Sequence, residues 1–171
     1  MLEISSEAAR QYRHLFLNLD ALIFTNLAPE HIESHGSYEK YVEAKLAIAK
    51  ELGFSGKKRK ILVVNADDPE SEKFLKIRNV EKLTFKMEDA EPFVLPEKGL
   101  EMTWNGEKIS SRLVGKFNIY NILSAATLAK GMGIGNKTIK SAVEEFQGVR
   151  GRLERVEAGQ TFPVIVDYAP T

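Results

Sequence analysis

The sequence predicts an α/β fold in which helices flank a mostly parallel sheet, with a small antiparallel hairpin excursion. In the first half, short apolar segments rich in branched residues alternate with stretches of helical periodicity. Strands that alternate with helices pair in parallel and are covered on both faces. In the second half, Asn105-Gly106 separates two β-prone segments and is a strong signal for a two-residue hairpin turn. The sequence has no internal repeat, low-complexity tract or flexible linker, so we expect one domain over residues 1–171.

The first half of the chain contains the segments expected to form the parallel sheet and its helices. Strands are expected at 1–5 (the end of a truncated strand), 19–25, 60–65 and 80–85. Helical periodicity predicts helices over 6–17 and 37–52. A shorter helix should follow Asp68-Pro69, because aspartate is a good N-cap and proline fits the first turn.

The second half begins with the hairpin and continues into two helices. The hairpin strands are expected at 100–104 and 107–113. Helices are expected at 118–131 and 136–146, since the glycines at 131, 133 and 135 interrupt the helical pattern between them. Two further short strands are expected at 155–157 and 163–166.

Composition and charge exclude several classes of function. Lysine plus arginine number 24 and aspartate plus glutamate number 24, so no basic field would attract nucleic acid or an anionic membrane. No apolar run approaches the roughly 20 residues that cross a bilayer, and the first residues do not resemble a signal peptide. The chain has no cysteine, which excludes disulfides and thiolate chemistry. We therefore expect a cytoplasmic protein that binds neither nucleic acid nor membrane.

The helix predicted over 37–52 carries a lysine on its apolar face. At about 100° per residue, one face gathers Tyr38, Tyr41, Val42, Ile48, Ala49 and Leu52. Lys45 falls near the centre of this face, where a charged amine is costly unless it is paired or loses its proton. Two interpretations follow. The stem of Lys45 could lie along apolar surface while its head reaches water, or the amine could be functional.

Polar residues lie in or just after several of the predicted strands. They are Glu3, Asn26, His31, Asn65, Asp67 and Asp68. Because ligands of doubly wound sheets collect at the carboxyl edge, these residues could share one rim. Glutamate and histidine suit a divalent cation that also contacts nucleotide phosphates. A single histidine such as His31 is more often a capped loop residue.

A series of short motifs, in order along nearly the whole chain, resembles the Mur ligases. The closest branch adds the third peptide residue to UDP-N-acetylmuramoyl-dipeptide, the reaction of a UDP-N-acetylmuramoyl-tripeptide synthetase. The motifs are Glu3-Ile4-Ser5-Ser6, Thr25-Asn26-Leu27, His31-Ile32-Glu33-Ser34-His35-Gly36, Ala44-Lys45, Asn65-Ala66-Asp67-Asp68, Gly115-Lys116-Phe117-Asn118-Ile119-Tyr120-Asn121, Gly148-Val149-Arg150-Gly151-Arg152-Leu153-Glu154 and Asp167-Tyr168-Ala169. The resemblance implies the P-loop NTPase-like central domain of such a ligase.

The resemblance implies a catalytic site with two magnesium ions. In the family, a glutamate and a histidine at the positions of Glu3 and His31 hold magnesium near the terminal phosphates of ATP. The lysine at the position of Lys45 is carbamylated, and the resulting anion helps to hold a second magnesium. This explains an amine on an apolar face, because carbon dioxide reacts with a neutral amine and burial favours the neutral form.

The resemblance also implies contacts with ATP and with the UDP-sugar substrate. Asn121 corresponds to an adenine-contacting asparagine, Arg152 to an arginine that faces the phosphates, and Asp167 to a ribose-binding aspartate. Each also has an ordinary interpretation, as a helix residue, a surface charge and a strand-end cap respectively. The positions that match contacts with the UDP-sugar are Ser5, Gln11 and Arg13, of which the last two could simply lie on an exposed helix face.

The implied reaction is ATP-dependent amide formation in peptidoglycan precursor synthesis. ATP phosphorylates a carboxylate of the UDP-N-acetylmuramoyl-peptide, and the amine of an incoming amino acid then displaces phosphate. Phosphoryl transfer of this kind depends on positioning and on cations at the developing charge, which suits magnesium ligands and an arginine. No protein nucleophile is required.

Two features depart from the family pattern. A Mur ligase central domain begins with a strand, a glycine-rich loop ending in glycine-lysine-threonine or serine, and a helix, and no stretch of these 171 residues matches that loop. We therefore expect a partial central domain that is inactive alone, with the amino-acid-binding domain starting downstream of about residue 167. In addition, the family usually has histidine in place of Pro170, where proline removes an amide donor and an imidazole.

Two alternative functions stay open. The chain could be a non-catalytic binding module, or one half of a split ligase that pairs with a separately encoded phosphate-loop partner. It could also be a folylpolyglutamate-type ligase, which shares the scaffold but explains the motifs at 3–6 and 31–36 less readily. The amino acid that is added cannot be read from these residues, because its determinants lie beyond Thr171.

Overall fold

The computed structural model describes residues 1–28, 32–156 and 158–168. The helices are α1 (Ser6–Arg10), α2 (Ile32–His35), α3 (Tyr38–Phe54), α4 (Ser71–Leu75), α5 (Lys116–Gly131) and α6 (Asn136–Glu145), with a 3-10 helix at Met87–Ala90. The strands are β1 (Ala21–Phe24), β2 (Ile61–Asn65), β3 (Glu81–Phe85), β4 (Phe93–Val94), β5 (Leu100–Trp104), β6 (Glu107–Ser111), β7 (Glu154–Val156) and β8 (Val164–Val166).

The strands form three sheets, and the largest elements match the predictions. β1, β2 and β3 pair in parallel in that order, with Val63 of the central strand opposite Ile23 and Leu83. β4, β5 and β6 form an antiparallel sheet, and β7 pairs with β8. Asn105 and Gly106, at the β5–β6 turn, have φ of 48° and 81°, the left-handed values that a type I′ hairpin turn requires. The α/β fold with a hairpin excursion is confirmed.

The parallel sheet separates two hydrophobic clusters. All five residues of β2 are buried, and alternate side chains point to opposite faces. Leu62 and Val64 pack in the cluster beneath α3 and α4. Ile61 and Val63 pack in a second cluster with α5 and the antiparallel sheet. Helices therefore cover both faces of the sheet, and the carboxyl ends of β1, β2 and β3 meet at one edge.

Helix α3 has the amphipathic character that its sequence predicts. It begins after Ser37, whose Oγ accepts a hydrogen bond from the Lys40 amide at 3.3 Å. The buried residues on the predicted apolar face are Tyr41, Val42, Ile48, Ala49 and Leu52. Tyr38 lies at the margin of this face and is only partly buried.

Three predicted elements differ from the structure near the start of the chain and after β2. Residues 1–5 are not a strand, because none of the described strands pairs with them and Ser5 instead caps α1. Helix α1 ends at Arg10 rather than at residue 17, since Tyr12 and Phe16 have φ of 56° and 63°, which a right-handed helix cannot accommodate. The short helix after Pro69 starts only at Ser71, because Asp68 forms a turn in which its Oδ1 accepts the Glu70 amide at 2.8 Å.

Among the described helices, none combines the length and the apolar composition that crossing a bilayer would need.

Candidate functional site

Lys45 lies on the buried side of α3, where periodicity places it. Its side chain is half-buried, and its Nζ lies 6.0 Å from the centroid of the Tyr41 ring. Tyr41 is buried, as are Val42 and Ala49 on the same face of the helix. Lys45 is therefore partly shielded from solvent. A functional amine on this face requires such an environment.

Glu3 lies shortly before α1, one of the helices that pack on α3. Glu3 is exposed and lies three residues before Ser6, the first residue of α1. α1 and α2 both pack against α3, and the buried Ser6 Oγ and His35 Nε2 form a hydrogen bond of 3.1 Å between α1 and α2. The structure thus packs α1, whose N-cap Ser5 lies two residues after Glu3, against the helix that carries Lys45. His31 lies outside the described residues, so its predicted place between them stays a prediction.

Glu3 and Lys45 could both bind magnesium only if one chemical condition is met. Magnesium takes oxygen ligands in near-octahedral geometry. The Glu3 carboxylate offers oxygen atoms, whereas the Lys45 amine offers none until carbon dioxide converts it into a carbamate. Within residues 1–28, 32–156 and 158–168, no group of three His, Cys, Asp or Glu side chains is arranged to hold a metal ion. Lys45 could therefore serve as a ligand of the predicted ion only if it is carbamylated.

Asn65 and Asp68 lie at the predicted rim, but their side chains are hydrogen-bonded to backbone groups. Asn65 Nδ2 donates to the Thr25 carbonyl at 2.8 Å, which joins the ends of β1 and β2. Asp68 Oδ2 accepts the amide of Leu27 at 2.8 Å, in the segment that leads toward position 31. These side chains hold the rim together, so we assign Asn65 and Asp68 a structural role in place of direct metal binding.

Asp67 joins the rim to helix α5 through a contact that the sequence did not predict. Its Oδ2 accepts hydrogen bonds from the Met87 amide at 2.7 Å and from the Tyr120 hydroxyl at 2.9 Å. The Tyr120 ring also packs edge-on against Phe85, the last residue of β3, at 6.5 Å between centroids. The only sequence signal for Tyr120 is its place directly before Asn121 in the 115–121 motif.

Asn121 is exposed on α5, and its side-chain amide is oriented by a neighbour. Asn121 Nδ2 donates to Asn118 Oδ1 at 2.9 Å, and Asn118 Nδ2 donates to the Val114 carbonyl at 2.8 Å. An exposed, oriented amide can present a donor and an acceptor to a planar base. The predicted contact with adenine is compatible with this geometry.

Arg152 and Asp167 come together at the corner formed by β7 and β8. Arg152 Nη1 donates to the Tyr168 carbonyl at 2.6 Å, and its guanidinium lies 5.2 Å from the centroid of the Tyr168 ring. Asp167 Oδ1 accepts the Leu153 amide at 3.0 Å, which is the strand-end capping role. Their roles toward a nucleotide stay predictions, and Pro170, which departs from the family pattern, lies outside the described residues.

The three residues predicted to contact a UDP-sugar are exposed around α1. Ser5 Oγ accepts the Ala8 amide at 3.1 Å and is the N-cap of the helix. The Gln11 backbone amide closes the helix on the Glu7 carbonyl at 3.1 Å, and Arg13 follows in the turn. All three side chains are accessible to a substrate, and their predicted contact with it stays a prediction.

The Tyr120–Asp67 hydrogen bond predicts a pH dependence of stability. Burial, followed by the hydrogen bond and negative charge of Asp67, raises the pKa of Tyr120 above its ordinary value of about 10. Folding thus favours the neutral phenol, whose contribution is complete below pH of about 10 and is lost as the pH rises through the folded pKa. We expect the difference in unfolding free energy between wild type and Tyr120→Phe to stay constant from neutral pH to about 10 and to shrink above it. Urea unfolding at increasing pH measures this difference, and a decline already near neutral pH would contradict the expectation.

Comparison with known sequences links the chain to one family of enzymes. The family model described as Mur ligase middle domain matches residues 1–129. The UDP-N-acetylmuramoyl-L-alanyl-D-glutamate--2,6-diaminopimelate ligase of Bacillus velezensis is 40% identical over 182 aligned residues, which cover 100% of this chain and 37% of that protein. The chain thus spans little more than a third of the length of that relative.

Comparison with solved structures shows the same fold. MurF from Acinetobacter baumannii has a TM-score of 0.79 at 17% identity, over 91% of this chain and 35% of that chain. MurF ligase from Thermotoga maritima, solved in complex with ADP, has a TM-score of 0.64 at 21% identity, over 91% of this chain and 36% of that chain. At these identities the likeness extends to the fold alone.

Proposed function

Because the chain belongs to the Mur ligase family, we propose that it forms part of the central domain of an ATP-dependent ligase of peptidoglycan precursor synthesis. The ligase would join an amino acid to the carboxylate of a UDP-N-acetylmuramoyl-peptide. The observation that carries the proposal is the half-buried Lys45 on the apolar face of α3, the helix against which α1 packs. The amine of a lysine can react with carbon dioxide, and the resulting carbamate would supply oxygen atoms to a metal ion.

The proposed roles follow the chemistry of each side chain. Glu3, His31 and carbamylated Lys45 would hold two magnesium ions, which supply positive charge to neutralise the phosphates of ATP as the γ-phosphoryl group is transferred. Further from the ions, Asn121 would bind the adenine, Arg152 would face the phosphates, and Asp167 would bind the ribose. The carboxylate-bearing substrate would contact Ser5, Gln11 and Arg13.

Two further parts of the ligase would come from outside these 171 residues. The relative from Bacillus velezensis is aligned over only 37% of its length. No stretch of residues 1–171 has the spacing of a phosphate-binding glycine-lysine loop. We propose that a preceding segment supplies this loop and that a domain following about residue 167 binds the incoming amino acid.

The test of this function is a coupled assay of phosphate release. We expect a complete polypeptide, with the phosphate-loop segment and the C-terminal domain, to release phosphate only when ATP, a UDP-N-acetylmuramoyl-dipeptide and an amino acid are all present. The 171-residue chain alone should show no turnover, because it lacks the backbone amides and the lysine that hold the phosphates. Turnover by the isolated chain would contradict the proposed division into domains. Absence of turnover by the complete polypeptide with every candidate amino acid would rule out the ligase.

A further inference from the structure

We propose that Asp67 and Tyr120 are positioning residues that hold Asn121 in the orientation in which it reads the base of the nucleotide. The inference deepens the proposed function and rests on it for the identity of the ligand. It assigns Asp67 and Tyr120 a role that acts through Asn121, in how well the enzyme distinguishes adenine from other bases.

The contacts run without a break from Asp67 at the rim of the sheet to the side-chain amide of Asn121. The Asp67 carboxylate is itself held at two points, by the Met87 amide at 2.7 Å and the Tyr120 hydroxyl at 2.9 Å. Met87 follows β3 and Asp67 follows β2, so the carboxylate is fixed relative to two neighbouring strands of the sheet. The hydroxyl of Tyr120 therefore has a rigid acceptor.

Tyr120 can transmit this restraint because it directly precedes Asn121 in α5. Adjacent residues of a helix point about 100° apart, so the restraint on Tyr120 near the start of α5 adds to the core packing of the helix in setting the direction of the Asn121 side chain. Tyr120 is partly buried against Phe85, whereas Asn121 is exposed. Asn118 then orients the Asn121 amide within the helix through the hydrogen bond of 2.9 Å. The core side chains of α5 and the Tyr120 hydroxyl thus set the rotation of the helix, and Asn118 sets the rotamer of the amide.

The chemistry of adenine makes the orientation of this amide measurable. An asparagine amide pairs with the N7 edge of adenine by accepting from the exocyclic amine and donating to N7. Inosine triphosphate carries a carbonyl acceptor in place of that amine, so it presents two acceptors to the same amide. A well-oriented Asn121 should therefore favour ATP over ITP, and a misaligned one should lose that preference.

Tyr38 offers a matched control for the loss of a tyrosine hydroxyl. Its hydroxyl donates to Glu70 Oε1 at 3.4 Å, and burial and Glu70 raise its pKa just as burial and Asp67 raise that of Tyr120. This contact joins α3 to the residue before α4 and does not involve α5. Tyr38→Phe should thus reproduce a loss of stability but not a loss of base selectivity.

The first arm of the test uses the 171-residue chain and does not depend on catalysis. We expect Tyr120→Phe to shift the side-chain amide NMR signals of Asn118 and Asn121 and to accelerate amide hydrogen exchange in the first turns of α5. Tyr38→Phe should leave these signals unchanged. Unchanged signals in Tyr120→Phe would overturn the positioning role whether or not the chain is part of a ligase.

The second arm measures KM and kcat for ATP and ITP in the complete enzyme. Tyr120→Phe is expected to lower the preference for ATP over ITP roughly tenfold, mainly through KM, as expected for one lost polar contact. The double variant with Asp67→Ala should lose no more selectivity than Asp67→Ala alone, because both residues act through one path. Wild-type selectivity in Tyr120→Phe, or equal loss in Tyr38→Phe, would overturn the inference. A wild-type enzyme that does not turn over ATP would instead overturn the proposed function.

Discussion

Replacing Lys45 with alanine is expected to reduce ligation by the complete enzyme by about two to three orders of magnitude. Lys45 is half-buried on the apolar face of α3, with its amine 6.0 Å from the Tyr41 ring centroid. As a carbamate it would supply the oxygen atoms that magnesium requires and that the described neighbouring side chains do not provide as a cluster. Alanine removes those oxygen atoms while keeping the helix, because alanine is the strongest helix former. The loss should therefore appear in kcat more than in stability.

The same helix contains a matched control. Lys50 is exposed on the opposite face of α3, so Lys50→Ala removes the same side chain without touching the proposed metal site. We expect it to retain wild-type activity. Bicarbonate together with a short carboxylic acid should partly restore Lys45→Ala by placing a carboxylate in the vacated space, and should not affect Lys50→Ala. Full activity in Lys45→Ala would end the carbamate hypothesis.

Replacing Phe74 with alanine is expected to destabilise the fold by about 3–5 kcal/mol. Phe74 is 1% exposed in α4, and its ring stacks on that of Phe24, with 3.7 Å between centroids and 16° between planes. Phe24 is the last residue of β1, close to the rim. The Phe24–Phe74 stack therefore packs α4 against the sheet at the edge that carries the candidate site. Truncation loses the transfer free energy of the ring and leaves a cavity. Since domains of this kind are stable by only about 5–15 kcal/mol, the variant would lose a large share of its stability.

Phe54 provides the comparison for this loss, because it is the same residue type in an exposed place. Phe54 ends α3 and is 82% exposed, so Phe54→Ala should change the unfolding free energy by no more than about 0.5 kcal/mol. Urea unfolding followed by far-UV circular dichroism measures both variants. Similar midpoints for the two variants would mean that Phe74 is not packed as described.

The fold was predictable where local pattern and tertiary structure agree. β2 is a run of buried branched residues, and the hairpin has Asn105-Gly106 at its turn. Residues 1–5 have the composition of a strand but no partner, and pairing is a property of distant residues that composition does not contain. The early end of α1 depends on Tyr12 and Phe16 in left-handed conformations, which non-glycine residues rarely adopt and sequence patterns rarely signal.

The candidate site was predictable where one helix or one motif determines it. Helical periodicity predicts the position of Lys45 on the apolar face of α3. The 115–121 motif singles out Asn121 as a candidate residue. The Asp67–Tyr120 bond joins residues 53 positions apart, so no local pattern could predict it. The polar rim was predicted as a group of possible ligands, whereas Asn65 and Asp68 bind the backbone at Thr25 and Leu27. Residue type alone does not distinguish a ligand from a side chain that satisfies a buried amide.

A crystal structure of the complete ligase with magnesium and ADP, grown in bicarbonate, tests the metal site most directly. The Glu3 carboxylate and a carbamate on Lys45 should then lie about 2.0–2.1 Å from magnesium ions that also contact the nucleotide phosphates. An unmodified Lys45 amine, or magnesium bound without Glu3 and Lys45, would contradict the assignment of ligase machinery to these residues.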